Sequence, residues 1–470
     1  MYARPLALIF LALAALFASG NVPAHAQEKS RKMNVLIIAV DDLNTSLACY
    51  GHPLVKTPNI DRLAKRGMLF KRAYCQYPLC NPSRTSFMSG RRPDTTKILD
   101  NNTEPRTTLG DVMFMNEYFA RHGYFTGRIG KIFHGRYAST GRWDVSEDPT
   151  KKKKAVKDAL APVAIQDKKK KVEEGGLKIT WKATNNKDEE EVDGMTARRI
   201  VELLEKNKDR PFFLAAGFHK PHLPFNAPKK YFDMYPPDKI TLPKEPADVR
   251  KNVPQRAFTS TKGDEAMTEM EKKQAIAAYY ACVSFMDAQV GVILDAMDRL
   301  QLWDNTIVIF VSDHGFHLAE HGGLWRKMTL FEESARVPLI VAAPNTKGNT
   351  TCPRLVELVD LYPTLTDYCK LPMPEGMEGT SFVPLLSDPE RAWKKAAFTV
   401  VQRGQKGLGR TVCTERYRYT EWFGDPKQAE LYDHQTDPRE FRNLVSEAEH
   451  RQTLEEMRRL LQGGWKAARP

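Results

Sequence analysis

Four stretches of the chain are apolar on consecutive positions: residues 34–40, 211–218, 306–311 and 337–343. Runs of this length, bounded by turn residues, mark strands buried on both faces, the habit of parallel sheets covered by helices. A shorter strand is predicted at 124–128. Between the strands the period changes to that of amphipathic helices. From 271 to 300, Ile276, Tyr279, Val283, Met286, Val290, Ile293, Met297 and Leu300 recur at three- and four-residue steps, so Tyr279 and the methionines read as core. Shorter helices are predicted at 57–67, with Pro58 in its first turn and Gly67 closing it, at 108–122, stopped by Gly123, at 196–206, and between Cys352 and Cys369. The polar stretch 136–192 has weak periodicity and reads as a long surface insertion. From residue 396 the texture becomes short alternating strands, 397–401 and 409–423, followed by an amphipathic helix over 447–462. The pattern predicts an α/β fold. A large central, mostly parallel sheet flanked by helices occupies residues 27–395, and a small C-terminal α+β subdomain with an antiparallel sheet and a terminal helix occupies 396–470.

Residues 1–26 carry a basic Arg4, an apolar run from Leu6 to Phe17 and Ala24-His25-Ala26, the layout of a signal peptide with its cleavage site. No later stretch reaches the roughly 18 apolar residues of a membrane span. Without a Cys at the cleavage point there is no lipoprotein anchor. The expectation is an exported protein, periplasmic or secreted, with no stable membrane anchor. The net charge of +13 invites a nucleic-acid reading, but residues 151–171 hold nine Lys against Asp158 and Asp167. One solvated, lysine-rich segment thus supplies most of the excess, and no nucleic-acid partner is inferred. Contact with a polyanionic substrate is the weaker alternative to a solvated loop for that segment. Of the seven cysteines, six remain once Cys80 is set aside. An exported chain allows at most one or two bridges among them, with pairing open. Cys352 and Cys369 are excluded as partners by the rise of the helix predicted between them.

The chemistry gathers at strand ends. The strand at 34–40 runs into Asp41-Asp42, and that at 306–311 into Ser312-Asp313-His314-Gly315. Open parallel sheets bind ligands at the carboxyl ends of their strands. The acids delivered there by two strands point to a hard cation, Ca²⁺ or Mg²⁺, although His314 is an unusual ligand for one. Lys131 and His134 follow the strand at 124–128 after a Gly turn. His222 stands between Pro221 and Pro224 after the strand at 211–218, rigidly posed as a proton donor should be, and His219 is the weaker candidate. His317 and His321 have zinc-ligand spacing, but Leu318 stands where a metalloprotease needs Glu, which argues against zinc. Lys327 is a candidate contact for an anionic group. Cys80 and Arg84 lie one helical turn apart, close enough for the Arg to lower the thiol pKa or to hold an anion beside it.

The run from Cys80 to Pro93, with Cys80-Asn81-Pro82-Ser83-Arg84 followed by Ser89-Gly90-Arg91, resembles the sulfatase signature. Thr57-Pro58-Asn59-Ile60-Asp61 and Glu430-Leu431-Tyr432-Asp433, with Asp437-Pro438 and Asn443-Leu444, resemble two further marks of that family. Gly130-Lys131-Ile132-Phe133-His134, His219-Lys220-Pro221-His222, and His rather than Asn at position 314 resemble its iduronate-2-sulfatase branch. The resemblance implies an alkaline-phosphatase-like fold. It also implies Cys80 oxidised by a formylglycine-generating enzyme to formylglycine, whose hydrate attacks sulfur. In that scheme Asp41, Asp42, Asp313, His314 and the converted residue 80 hold Ca²⁺, Mg²⁺ being less suited. Lys131 and Lys327 clamp sulfate oxygens, and Arg84 polarises the nucleophile. His222, with Lys327, protonates the departing alcohol, and His134 removes the proton that lets sulfate leave. The implied substrate is a sulfated oligo- or polysaccharide, with a 2-O-sulfated uronic acid suggested by the branch. A phosphate or phosphonate ester hydrolase of the same superfamily is the alternative reaction. An inactive glycan-binding protein would have lost a site residue, and none of those expected is missing.

Overall fold

The computed structural model describes Met1 and residues 32–137, 140–151, 179–259, 264, 267–404 and 407–470. The signal-peptide reading and the lysine run beyond Lys151 lie outside the described residues. The central sheet has eight strands: β1 (Asn34–Asp41), β2 (Met68–Tyr74), β3 (Phe125–Gly130), β4 (Val145–Glu147), β5 (Phe212–Pro221), β6 (Thr306–Ser312), β7 (Arg336–Ala342) and β8 (Thr350–Glu357). Their order is β8-β2-β7-β6-β1-β5-β3-β4. Strand β7 runs antiparallel to both neighbours, and the other pairings are parallel. The sheet is therefore mostly parallel, as the unbroken apolar runs require.

Strand β1 lies between β5 and β6 and is buried at every position. Its alternate side chains feed opposite layers. Leu36, Ile38 and Val40 join the core formed with α4 (Val192–Asn207) and α5 (Glu269–Arg299). Val35, Ile37 and Ala39 pack on the other side with Phe87, Phe119 and Leu361. These three come from α2 (Cys80–Ser89), α3 (Met115–Arg121) and α6 (Leu361–Tyr368). Between β1 and β2 lies α1 (Pro58–Arg66), which starts on its proline as predicted. Helix α5 starts where Thr268 and Glu271 exchange hydrogen bonds in a capping box. It is long and apolar enough to span a bilayer, against the expectation that no stretch after the leader reaches that length. Its most apolar window is 89% buried inside the protein, so the apolarity is core packing.

Three readings need correction. The helix expected at 108–122 is two, Pro105–Leu109 and α3, because Gly110 turns at φ 50° and breaks the run. The helix expected from Cys352 to Cys369 is strand β8 followed by α6, so the spacing argument against a bridge there falls away. Both thiols are nonetheless free, as are the other five cysteines. Pro353 is tolerated because β8 is an edge strand and its register shifts between Cys352 and Leu355. The polar insertion contributes β4 to the opposite sheet edge, and Trp181–Thr184 pairs with Phe225–Pro228.

Residues 32–470 cohere as one unit. Near the C-terminus, β9 (Ala397–Arg403), β10 (Gly407–Cys413), β11 (Tyr417–Trp422) and β12 (Asp425–Asp433) form an antiparallel meander, and α7 (Arg451–Ala467) follows. Val401, Trp422 and Tyr432 of this sheet share an apolar cluster with Tyr77 and Phe331 of the larger sheet's loops.

Candidate active site

Strand polarity brings the carboxyl ends of β1, β3, β5 and β6 to one edge, and the N-terminus of α2 docks there. Cys80 is the first residue of α2, a helix buried at all 10 positions, which sets the residue at the positive end of the helix dipole. The Cys80 thiol donates to Asp41 Oδ1 at 3.3 Å and lies 3.3 Å from His314 Nε2. Lys131 Nζ and Lys327 Nζ each approach its sulfur to 3.6 Å. Lys131 also donates to Asp41 Oδ2, and Lys327 to Asp42 Oδ1 at 2.5 Å. Arg84, one turn along α2, is fully buried and donates through Nε to Asp313 Oδ2 at 2.7 Å. Its remaining nitrogens reach the carbonyls of Lys131, Ile132 and Val40, which ties α2 to the ends of β1, β3 and β6.

The structure thus gathers eight of the predicted residues around the sulfur: Asp41, Asp42, Arg84, Lys131, His222, Asp313, His314 and Lys327. His222 Nε2 faces Asp42 Oδ2 at 3.9 Å. His134 follows β3 in the loop that carries Lys131, and its Nδ1 is buried without a hydrogen bond to any described residue. Asp41, Asp42, Cys80 and His314 offer ligand atoms within 4.8 Å of one another. Asp313 stands just outside this group, with Oδ2 on Arg84 and Oδ1 accepting the amides of Asp42 and His314. Its Oδ2 is 3.6 Å from His314 Nε2.

Other candidates are engaged elsewhere. The His219 amide is bound by Asp193 Oδ1, the Lys220 amide by Asp193 Oδ2, and the His219 ring lies 3.7 Å from the same carboxylate. His317 bonds Thr329 at 2.6 Å, while His321 bonds Glu333 at 3.1 Å and stacks on Phe331. Sequence reasoning missed Asp193, which fixes the strand end presenting His222. It also missed Ser83, whose hydroxyl donates to the Asp313 carbonyl. Ser83 was visible inside the signature, whereas nothing in the chain flags Asp193.

Charge compensation governs the ionisation of these groups. Burial pushes Asp41 upward, but Lys131, His222, Arg84 and Lys327 more than offset it and hold the carboxyl well below its usual range. Burial, helped by Asp41, pushes the Cys80 thiol up to about 12. The residue is thus a neutral thiol at neutral pH, and the thiolate chemistry expected from an adjacent Arg is suppressed. Lys131 and Lys327 stay charged, because the neighbouring carboxylates outweigh the cost of burial.

Burial, aided by the nearby lysines, lowers His134 to about 3 and His222 to about 4, so both rings are neutral near pH 7. This predicts an acid-labile fold. Above pH 6.5, the ordinary imidazole value, both rings are neutral in folded and unfolded chains alike, and pH has no leverage through them. Below it the unfolded chain takes up protons that the folded chain refuses, so stability falls as pH drops from 6.5 toward about 4. Thermal melts across that window should show Tm falling, with a shallower slope in His134→Gln. Equal slopes would remove His134 from the account.

Acceptor-only partners fix which ring nitrogen of two histidines faces the site. His314 Nδ1 donates to the Gly315 carbonyl at 3.0 Å, which leaves Nε2 as the atom 3.5 Å from Asp42 Oδ1. His222 Nδ1 donates to the Leu223 carbonyl at 2.6 Å, which leaves Nε2 as the atom facing the site. A ring nitrogen and carboxylate oxygens converging in one buried site make a donor set that a cation would fit. Asp42 Oδ2 is likewise buried with no hydrogen-bond partner among the described residues.

Acids poised for a cation, ammonium groups poised for an anion and one central residue at a helix start belong to the α/β hydrolases that cleave esters of tetrahedral oxyanions. Comparison with known proteins narrows this. The sulfatase family profile matches residues 33–371, and that of the N-sulphoglucosamine sulphohydrolase C-terminal region matches 319–466. The chain is 32% identical to a sulfatase of Formosa agariphila, over 96% of this chain and 91% of that protein. It is 31% identical to iduronate 2-sulfatase of Mus musculus, over 93% and 95% of the two. Among solved structures, the phosphonate monoester hydrolase of Agrobacterium radiobacter superposes with a TM-score of 0.78 at 22% identity, covering 93% of this chain and 96% of that one. The chain belongs to the sulfatase family and is a sulfuric ester hydrolase.

Proposed function

We propose that this protein is an exported, formylglycine-dependent sulfatase that removes a sulfate ester from a sulfated glycan. The single observation that carries the reading is the surround of Cys80: two carboxylates, an imidazole nitrogen and two ammonium groups converge on one sulfur. The Sγ atom stands where an oxygen of the formylglycine hydrate would lie. A neutral, buried thiol at about 12 is a poor nucleophile, which favours conversion by a formylglycine-generating enzyme over direct thiol chemistry. The hydrate supplies a nucleophile that can release sulfate by C–O cleavage without water attack at sulfur.

Asp41, Asp42 and His314 would hold a divalent cation together with residue 80, and Asp313 would orient the group from behind. The orphaned Asp42 Oδ2 and His314 Nε2 fit this role. Oxygen-rich ligation favours Ca²⁺ over Mg²⁺, which keeps more water. When bound, the cation supplies Lewis-acid activation of the nucleophile and a template for the sulfate.

The remaining steps belong to the chain's own side chains. Lys131 and Lys327 carry fixed positive charge to the oxygens of the transferring sulfate. Arg84 holds the end of β6 in place and keeps positive potential at the nucleophile. His222 Nε2 is unprotonated in the free site, so it can protonate the leaving alcohol only after taking up a proton itself. An arriving sulfate ester favours that uptake by adding negative charge beside the ring. Lys327 holds its proton throughout and supports the same step. His134 is neutral and free at Nδ1 to accept the proton whose loss expels sulfate.

Iduronate 2-sulfatase among the relatives supports a 2-O-sulfated uronic acid as the first substrate to try. Protein matured with a formylglycine-generating enzyme should release free sulfate from one member of a sulfated-glycan panel, and chelator should stop it until calcium is restored. Silence on every glycan, with the aldehyde confirmed at position 80 by peptide mass and turnover of an aryl phosphonate instead, would overturn the reading in favour of phosphonate chemistry.

A further inference from the structure

Tyr279 lies on the core face of α5, and the helical periodicity gives it no task beyond packing. The structure gives its hydroxyl two partners at the site. The phenol donates to the Asp42 carbonyl at 2.8 Å and accepts the Asn44 amide at 3.0 Å. It thereby closes the turn after β1 as a peptide group would. That turn is unusual. Asp42 has φ 64°, in the left-handed region that non-glycine residues avoid. Successive side chains of a strand point to opposite faces. The left-handed step at Asp42 breaks that alternation and brings its carboxylate beside that of Asp41, within reach of Cys80 and His314.

The ring is tied to the same end of the site. Tyr279 is fully buried and stacks on Phe316, with ring centroids 5.6 Å apart and an interplanar angle of 24°. It meets Phe225 edge-on at 5.6 Å. Phe316 follows His314 by two residues and Phe225 follows His222 by three. Asn44 Nδ2 completes the link by donating to the Phe316 carbonyl at 2.9 Å. A second clamp acts on the turn from β6, where Ser312 Oγ accepts the Leu43 amide at 3.0 Å and donates to the His314 carbonyl at 2.8 Å.

We propose that Tyr279 is a positioning residue for the metal end of the site. Its hydroxyl holds Asp42 in the left-handed conformation that turns the second carboxylate toward the cation. The inference rests on reading Asp41, Asp42 and His314 as a divalent-cation site. Loss of the hydroxyl frees the turn to relax toward extended backbone, and the carboxylates part. Cation affinity should then fall while the packed ring still fills the core.

The test is calorimetric titration of calcium chloride into chelator-stripped protein with an unconverted Cys80, so that no turnover is needed. Tyr279→Phe should bind calcium at least tenfold more weakly than wild type, with a metal-free Tm close to wild type. In Tyr280→Phe, which loses a hydroxyl bonded to His52 instead, calcium binding should be unchanged. Wild-type affinity in Tyr279→Phe would overturn the proposal, as would equal weakening in both variants, which would mark general disturbance of α5. If Tyr279→Phe does not fold, Ser312→Ala decides. It removes the other clamp on the turn, so weakened binding there supports the proposal and unchanged binding ends it. Absence of calcium binding in the wild type would overturn the cation reading itself. That failure is distinct from a wild type that binds and a Tyr279→Phe variant that binds equally.

Discussion

Sulfate release should drop by ~10⁴-fold or more in Cys80→Ala, to the background of the assay, with the fold intact. The side chain lost is small, buried and neutral, so its removal leaves no unpaired charge, and alanine suits the first turn of α2. A stability penalty of about 1–2 kcal/mol is expected. Cys80→Ser is the sharper companion. A serine left unconverted that accepts a sulfuryl group keeps it as a stable ester, because the hydrate's route of C–O cleavage is absent. Intact-protein mass should then show one added SO₃ group after incubation with substrate, and no turnover. Steady sulfate release by an unconverted serine protein would show that water can attack at sulfur here, and the argument for formylglycine would lose its chemical basis.

Arg84→Met should be the most damaging single change for the fold near the site. The guanidinium is fully buried, with Asp313 Oδ2 at 2.7 Å and Asp41 Oδ1 at 3.6 Å. Taking one partner from a buried ion pair typically costs about 3–5 kcal/mol, because the charge left behind has no water to turn to. Asp313 is left without a cationic partner, Asp41 keeps only Lys131, and three carbonyls at the ends of β1 and β3 each lose a donor. The expected outcome is a large drop in the urea midpoint and loss of sulfate release. Calcium should recover part of the midpoint, since a cation restores charge balance and stabilises only the folded state. Arg84→Lys should rescue little, because one ammonium cannot span Asp313 and the carbonyls that the planar fork reaches. A midpoint within experimental error of wild type would refute this view of Arg84 as the tie between α2 and the sheet.

The central strands were legible because β1, β5 and β6 are buried on both faces and so spell themselves as unbroken apolar runs. Strand β2 was hidden by Lys71 and Arg72, which its place near the sheet edge leaves partly exposed. Strand β8 was hidden by Pro353, a residue that an edge strand accommodates and a central one does not. The site was legible where its residues sit on strand ends, since topology then fixes which edge they share. Its support was not. Asp193 and Tyr279 act through backbone atoms of distant turns, and nothing local marks a hydroxyl that will reach another segment's carbonyl. The ionisation states were also beyond sequence. His222 has a proline one residue before it and another two after, which suggested a ready proton donor, but burial keeps the ring neutral in the free site.

The complete burial of α2 bears on the protein's birth. Cys80 is 0% exposed, and its helix is enclosed by segments far away in sequence, among them the loop of Lys327, 247 residues from Cys80. If residue 80 is converted as proposed, an enzyme that oxidises this thiol would have no access to it in the folded molecule. The conversion would then have to be completed while the chain is still open, before β6 and the Lys327 loop, both later in the sequence, close over it. On that reading maturation would be a race against folding, and slower folding would raise the yield of competent enzyme.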